Sequence, residues 1–172
     1  MTRNDLLNAM TVGAIALFAL LPHAEAQQAS TAAESVDAGR VFGAWRITCE
    51  QGPCLAFLSL RDDATGDIVL SASLIHDRPS GKDTLLIRVG LGVALPPGLR
   101  IFAEDETRFN APFQVCQSDG CIAGLLLTPE VQDALRGVFE LRVAAVPYGQ
   151  QQAVGYALPI EGWRDALDHL AG

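Results

Sequence analysis

The chain has 172 residues, of which 49% are hydrophobic and 19% charged, and its formal net charge is −8 at pH 7. This length suits one domain, and the apolar fraction is high enough for a packed core, which excludes a globally disordered chain. The acidic balance argues against nucleic acid as a partner and disfavours docking on anionic lipid headgroups, because both require a surplus of Lys and Arg.

The first 26 residues are typical of a cleaved export signal. A short polar start that contains Arg3 is followed by an apolar run over residues 9–21, and Ala24 and Ala26 form the small-x-small pattern of a signal-peptidase site. The apolar run is well short of the roughly 20 residues that span a bilayer. We therefore predict cleavage near Ala26, export to the periplasm or the outer membrane, and no integral membrane segment in the mature chain.

The mature part is predicted to be a flexible lead-in over residues 27–40 followed by one domain over residues 41–172. Short apolar and β-branched runs separated by Gly, Pro, Asp and Asn are typical of strands. Two helices are predicted as well, one starting at Thr128-Pro129 and ending at Gly137, the other over 162–170. The predicted strands cover residues 42–49, 54–60, 68–75, 84–89, 99–103, 109–116, 121–127, 138–146 and 154–160. This pattern indicates an all-β antiparallel sandwich or barrel.

Four cysteines lie in the exported part, and they form two pairs with the same spacing. Cys49 and Cys54 bracket one turn-rich tetrapeptide, and Cys116 and Cys121 bracket another. An even count in an oxidising compartment favours disulfides. Because a four-residue hairpin loop places its flanking residues opposite one another, we predict the local pairs Cys49–Cys54 and Cys116–Cys121. A zinc site is the alternative, but the spacing is at the edge of what structural zinc sites use.

The sequence offers no recognisable catalytic or metal site. The mature chain has two histidines, His76 and His169, without a third ligand at a typical spacing, and both are interpreted as surface residues. No GxSxG motif occurs, and the acidic clusters lack the periodicity of a calcium loop. We therefore predict no enzyme activity, no metal and no cofactor.

The apolar, Gly- and Pro-rich stretch 90–98 is a candidate partner loop. A crossover packed against the sheet is the favoured interpretation of this stretch, and a partner-facing loop is the alternative. The side chains that would face a partner are Leu91, Val93, Leu95, Pro96, Pro97 and Leu99.

Three segments, in order, resemble the invasion-associated locus B proteins. They are Phe42-Gly43-Ala44-Trp45 followed by Cys49, then Leu91 to Leu99 (LGVALPPGL), and Pro112 to Cys116 (PFQVC) with Gly120 to Ala123 (GCIA). Ala44 stands where the family has an acidic residue. The resemblance implies an exported envelope protein with an immunoglobulin-like β-sandwich, and a link to host-cell invasion in some pathogens. It supplies no catalytic residues.

The leading functional hypothesis is a periplasmic or outer-membrane-associated binding or structural module whose partner is a protein or another envelope component. A surface adhesin or invasion factor that contacts a host cell is the second hypothesis. A small periplasmic enzyme with an unrecognised site is the third.

Overall fold

The computed structural model describes residues 37–50, 52–103 and 108–172. Within them the chain forms two antiparallel sheets and two helices. The predicted signal peptide and most of the predicted lead-in lie outside these residues, as do residue Gln51 and residues 104–107. The strands are β1 (Val41–Phe42), β2 (Trp45–Thr48), β3 (Leu55–Arg61), β4 (Ile68–Asp77), β5 (Lys82–Val89), β6 (Leu99–Phe102), β7 (Arg108–Ala111), β8 (Phe113–Gln117), β9 (Gly120–Leu126), β10 (Glu140–Ala145) and β11 (Val154–Pro159), and the helices are α1 (Pro129–Ala134) and α2 (Trp163–Ala171).

The larger sheet has seven strands in the order β1-β2-β3-β4-β5-β9-β8. Its strands from β2 to β5, and β9, alternate between buried and outward side chains, as expected for a sheet with one face on the core and one face in solvent. In β4, for example, Leu70, Ala72 and Leu74 are buried while Ser71 and Ser73 point outward.

The smaller sheet has four strands in the order β11-β10-β6-β7. Its inward side chains, among them Leu99, Ile101, Leu141, Val143 and Leu158, join the buried side chains of the larger sheet in one hydrophobic core. Every strand pair in both sheets is antiparallel. The antiparallel β-sandwich predicted from the strand pattern is therefore confirmed.

Two segments predicted as single strands are each divided in two. The first is divided at Gly43, whose φ of 54° turns the chain so that β1 folds back on β2. The second, 109–116, is divided at Pro112, and its halves β7 and β8 belong to different sheets. Pro112 has no N–H to donate to a strand ladder, which makes it a natural point for the chain to cross between sheets.

The two predicted helices are present. Thr128 is the N-cap of α1 and accepts a hydrogen bond from the Val131 N–H, while Pro129 occupies the first helical turn. Helix α2 buries the predicted face, Trp163, Ala166, Leu167 and Leu170, and it contacts β1 to β4. Neither helix has the length and apolar character that crossing a bilayer requires.

Candidate functional site

The outer face of the seven-stranded sheet carries two adjoining hollows, which we call the trough. Their volumes are about 480 and 530 Å³. Both hollows are lined by Phe57, Ser73 and Arg88, which places these three side chains at the centre. Phe57 remains 37% exposed although it stands in the middle of a long sheet.

The register of the strands explains the shape of the trough. One cross-strand row runs from Arg46 on β2 through Phe57 on β3 and Ser73 on β4 to Leu86 on β5. Since Ser73 is much smaller than its neighbours, the sheet surface sinks at β4. The row ends at Gly124 on β9, over which the Gln114 side chain lies.

The two disulfide hairpins form walls at opposite ends of the trough. The sulfur atoms of Cys49 and Cys54 are 2.07 Å apart, and those of Cys116 and Cys121 are 2.03 Å apart, in the local pairing that the spacing predicts. Glu50 and Pro53 of the first hairpin line one hollow together with Leu55, and Asp119 of the second hairpin lines the other. Each disulfide therefore fixes a loop that shapes the trough.

The trough contains charges of both signs next to apolar side chains. Arg88 forms an ion pair with Asp119, which ties the second hairpin to the centre of the sheet. At the other end, Arg46 donates a hydrogen bond to the Gly39 carbonyl at 3.3 Å. Phe57, Leu86 and Ile122 supply apolar surface between these groups.

The serines of the trough are not placed for nucleophilic catalysis. Ser71 and Ser73 point to the outer face of β4. His76 is an odd number of residues away on the same strand, so its side chain points to the opposite face of the sheet. His76 Nδ1 lies 2.7 Å from Asp83 Oδ1, and Gln132 Nε2 donates to the other carboxylate oxygen at 3.1 Å. His76 is therefore half-buried and paired, rather than the surface residue expected from the sequence. The pair joins the β4–β5 hairpin to α1.

Clearly lowered pKa values are found at two carboxyl groups outside the trough. Backbone N–H groups of Thr65 and Ala64 lower the pKa of Asp62 in the β3–β4 turn. The Thr128 side chain, which caps α1, lowers the pKa of Glu130. Both shifts have local structural causes in a turn and in a helix cap. In the part of the chain that the structure describes, no three His, Cys, Asp or Glu side chains are grouped to hold a metal ion.

The candidate partner loop lies between β5 and β6, away from the trough. Leu91, Leu95 and Pro96 are exposed, Val93 and Pro97 are half-buried, and Leu99 is buried in the core. The loop pairs with the β10–β11 connection through a bridge between Val93 and Pro147 and a hydrogen bond from the Ala94 N–H to the Val146 carbonyl (2.8 Å). It is thus partly a packed crossover and partly an exposed apolar segment.

Sequence reasoning did not identify Phe57, Ser73 or Arg88 as site residues. The signal that was available is the period-two alternation in β3, β4 and β5, which gives the outward residues of each strand. The order of the strands, which brings those residues together, is not contained in that alternation.

Comparison with known proteins gives results that agree with one another. The family model described as "Invasion associated locus B (IalB) protein" matches residues 45–171. An invasion protein B homolog of Brucella abortus strain 2308 is 22% identical over 167 residues, which covers 95% of this chain and 96% of that protein.

The crystal structure of invasion associated protein B from Bartonella henselae superimposes with a TM-score of 0.68 at 20% identity, over 78% of this chain and 96% of that one. This likeness supports the fold. Because the family model spans most of the sequence, the chain belongs to the invasion associated locus B family.

Proposed function

We propose that this protein is an exported, non-catalytic binding protein of the cell envelope, and that the trough receives a segment of a partner protein. The observation that carries the proposal is the composition of the trough. An exposed aromatic side chain and an arginine lie at its centre, with apolar neighbours and a charged rim. Aromatic residues and Arg are the types enriched in protein–protein interfaces and at their energetic centres.

The form of the trough supports a macromolecular partner over a small molecule. Both hollows are open along the sheet, and sites for small molecules enclose most of the ligand surface. The disulfide hairpins support the exported part of the proposal, because such bonds persist in oxidising compartments. The predicted signal over residues 1–26 supports it independently.

Binding is tested with the full chain, expressed with its own N-terminal segment and purified from the periplasm. A photo-crosslinking residue at Ser73 should capture a partner in the envelope, and the partner is then purified for titration. Phe57→Asp should weaken its affinity about tenfold or more, as expected at the centre of an interface. The matched control is Phe139→Asp, since Phe139 is 64% exposed and lies outside the trough. Equal effects of the two substitutions would reject the trough as the binding site.

Export is tested by fractionation and mass spectrometry of the accumulated protein. We expect a periplasmic or membrane-associated form cleaved near Ala26, with both cysteine pairs oxidised. An uncleaved cytosolic protein with reduced thiols would contradict the proposal.

A surface role in contact with a host cell is the second candidate, and it is favoured by the relatives' names, which refer to invasion. The two candidates differ in the side of the outer membrane on which the protein lies. Protease added to intact cells should degrade a surface protein, whereas a periplasmic protein should stay protected until the outer membrane is permeabilised.

A further inference from the structure

The outer face of the small sheet carries three arginines, although the chain as a whole is acidic. Arg100 on β6, Arg108 on β7 and Arg142 on β10 are all exposed and point outward, away from the core. Glu140 is the acidic residue among the outward positions of these strands in the described part of the chain. We call the three guanidinium groups and the surface between them the arginine face.

The strand register brings the three arginines close together. Phe102 pairs with Arg108 on one side and with Arg142 on the other, so these two arginines are two strand spacings apart, about 10 Å. Arg100 lies two residues before Phe102 on β6 and is a diagonal neighbour of both. Among the described residues, none of the three takes part in an ion pair.

On the β11 side, the arginines are bordered by small residues. Ala144 pairs with Arg100 on one side and with Gly155 on the other, and Ala157 pairs with Arg142. Arg142 Cγ would be 3.8 Å from a Cβ at Gly155, so the Arg142 side chain lies along the sheet. Three separate cations on one sheet face fit an array of anionic groups better than a single enclosed ion.

An apolar tip borders the arginine face at the end where β6 begins and β10 ends. It consists of Leu91 and Leu95, 59% and 49% exposed, and Tyr148, 81% exposed. The two loops that carry these side chains are joined by a hydrogen bond of 2.7 Å from the Tyr148 N–H to the Gly92 carbonyl. Arg100 follows the first of these loops directly, and its partner Ala144 precedes the second.

We infer that the arginine face and the apolar tip together dock the protein peripherally on an anionic lipid bilayer. The planar guanidinium fork matches phosphate oxygens, and basic side chains near a membrane surface add to its affinity for anionic lipids. Tyr has an apolar ring and a polar hydroxyl, the combination that is enriched at the bilayer interface, and exposed leucines enter the region of the acyl chains. The three arginines are a local exception to the net charge of −8, which by itself disfavours docking on anionic lipid.

The test measures co-sedimentation of the full protein, purified in its exported form, with vesicles of 30% phosphatidylglycerol in phosphatidylcholine. We expect binding that weakens with salt and is lost on pure phosphatidylcholine. Arg100→Glu combined with Arg142→Glu should lower the affinity at least about tenfold. Arg61→Glu combined with Arg136→Glu makes the same change of charge at exposed positions elsewhere, and should have a small effect. Equal losses with both pairs, or no binding by the unaltered protein, would overturn the inference.

A second readout reports insertion of the tip and does not depend on the charge-reversal variants. Brominated lipid in the same vesicles should quench the fluorescence of the tryptophan introduced by Tyr148→Trp. It should not quench the tryptophan introduced by Phe139→Trp, which is also highly exposed but lies away from the tip. Binding without quenching of Tyr148→Trp would overturn the proposed orientation. Far-UV circular dichroism establishes that each variant is folded. If the protein binds its partner normally and does not bind vesicles, the docking is refuted and the proposed function of the trough is unaffected.

Discussion

Gly43 and Gly162 pack backbone against backbone where β1 turns into β2 and where α2 begins. A Cβ at Gly43 would lie 2.2 Å from the Glu161 carbonyl oxygen, and a Cβ at Gly162 would lie 2.5 Å from the backbone of Phe42. The same approach allows the Ala44 N–H to donate to the Glu161 carbonyl at 3.2 Å. The glycine of the Phe42-Gly43-Ala44-Trp45 motif is therefore explained by a close contact, in addition to its positive φ.

Replacement of Gly43 by Ala should strongly destabilise the protein. The Cβ meets immovable backbone, so either the β1–β2 turn or the start of α2 must shift, and we expect a loss of about 3 kcal/mol. Gly81→Ala is the matched control, because Gly81 has a similar φ of 64° and open space around its Cβ. It should cost about 1 kcal/mol from the backbone conformation alone. Chemical denaturation measures both, and equal losses would disprove the contact argument.

Asp62 should give the folded state a local dependence on pH. Its Oδ1 accepts hydrogen bonds of 2.9 Å from the N–H groups of Thr65 and Ala64, which lower the pKa of its carboxyl group. A lowered folded-state pKa means that the stabilisation is complete above the unfolded value of about 3.9 and is lost as the pH falls through the folded value.

Comparison with Asp62→Asn isolates this contribution. The unaltered protein should be the more stable of the two at pH 7, and the difference should shrink as the pH is lowered below 4. Asp63→Asn removes a charge from the same turn without touching these hydrogen bonds, and it serves as the control. Unfolding curves recorded from pH 7 to pH 2 provide the measurement. A difference that stays constant across this range would contradict the assignment.

At the scale of elements, the disulfide hairpins are local constraints on the ends of strand pairs. Each bridge closes a loop between residues five positions apart. Replacing both Cys116 and Cys121 by Ala should cost about 2 kcal/mol, the small loss expected for so short a loop. The fold should persist, while the ion pair of Arg88 with Asp119 should loosen because its hairpin is no longer held.

Denaturation and nuclear magnetic resonance of the Arg88 region distinguish these effects. The Cys49 and Cys54 pair, replaced in the same way, is the matched control for stability and should leave the Asp119 end unchanged. Complete unfolding after loss of either disulfide would show that the disulfides do more than constrain their own hairpins.

The positions of most elements follow from the sequence because each signal is local. Thr128 and Pro129 mark the start of α1 through capping and a fixed φ, and the outward serines of β4 follow from its alternation. The turn at Gly43 and the crossing at Pro112 were not predicted. The apolar pattern continues through both points, and only the packing of α2 and the separation of the two sheets show where the strands end.

The whole molecule is expected to unfold as one unit, because one core joins both sheets and α2. Leu74→Ala in the large sheet and Val143→Ala in the small sheet should each lower a single unfolding midpoint, with the Leu change costing about 2–5 kcal/mol. Trp45 and Trp163 are buried reporters of this core for fluorescence. Two separate transitions by fluorescence and circular dichroism would show that the sheets unfold independently.

The candidate site was less predictable than the fold for a physical reason. Phe57, Ser73 and Arg88 lie on three different strands, and they meet through strand order and register, which are long-range properties. Cysteine spacing, by contrast, is a local signal, and it indicates two hairpins. Their position beside the trough is known only from the structure. The arginine face has the same origin: its three residues are scattered in the sequence and are collected by the small sheet.

The short separation within each cysteine pair also has a consequence for oxidative folding. In an unfolded chain, the probability that two thiols meet falls with about the 3/2 power of the number of residues between them. Closing a native pair is therefore favoured by roughly 50-fold over joining a cysteine of one hairpin to a cysteine of the other. The correct bonds can form before the sheets assemble, so maturation should require a thiol oxidase but little disulfide isomerase.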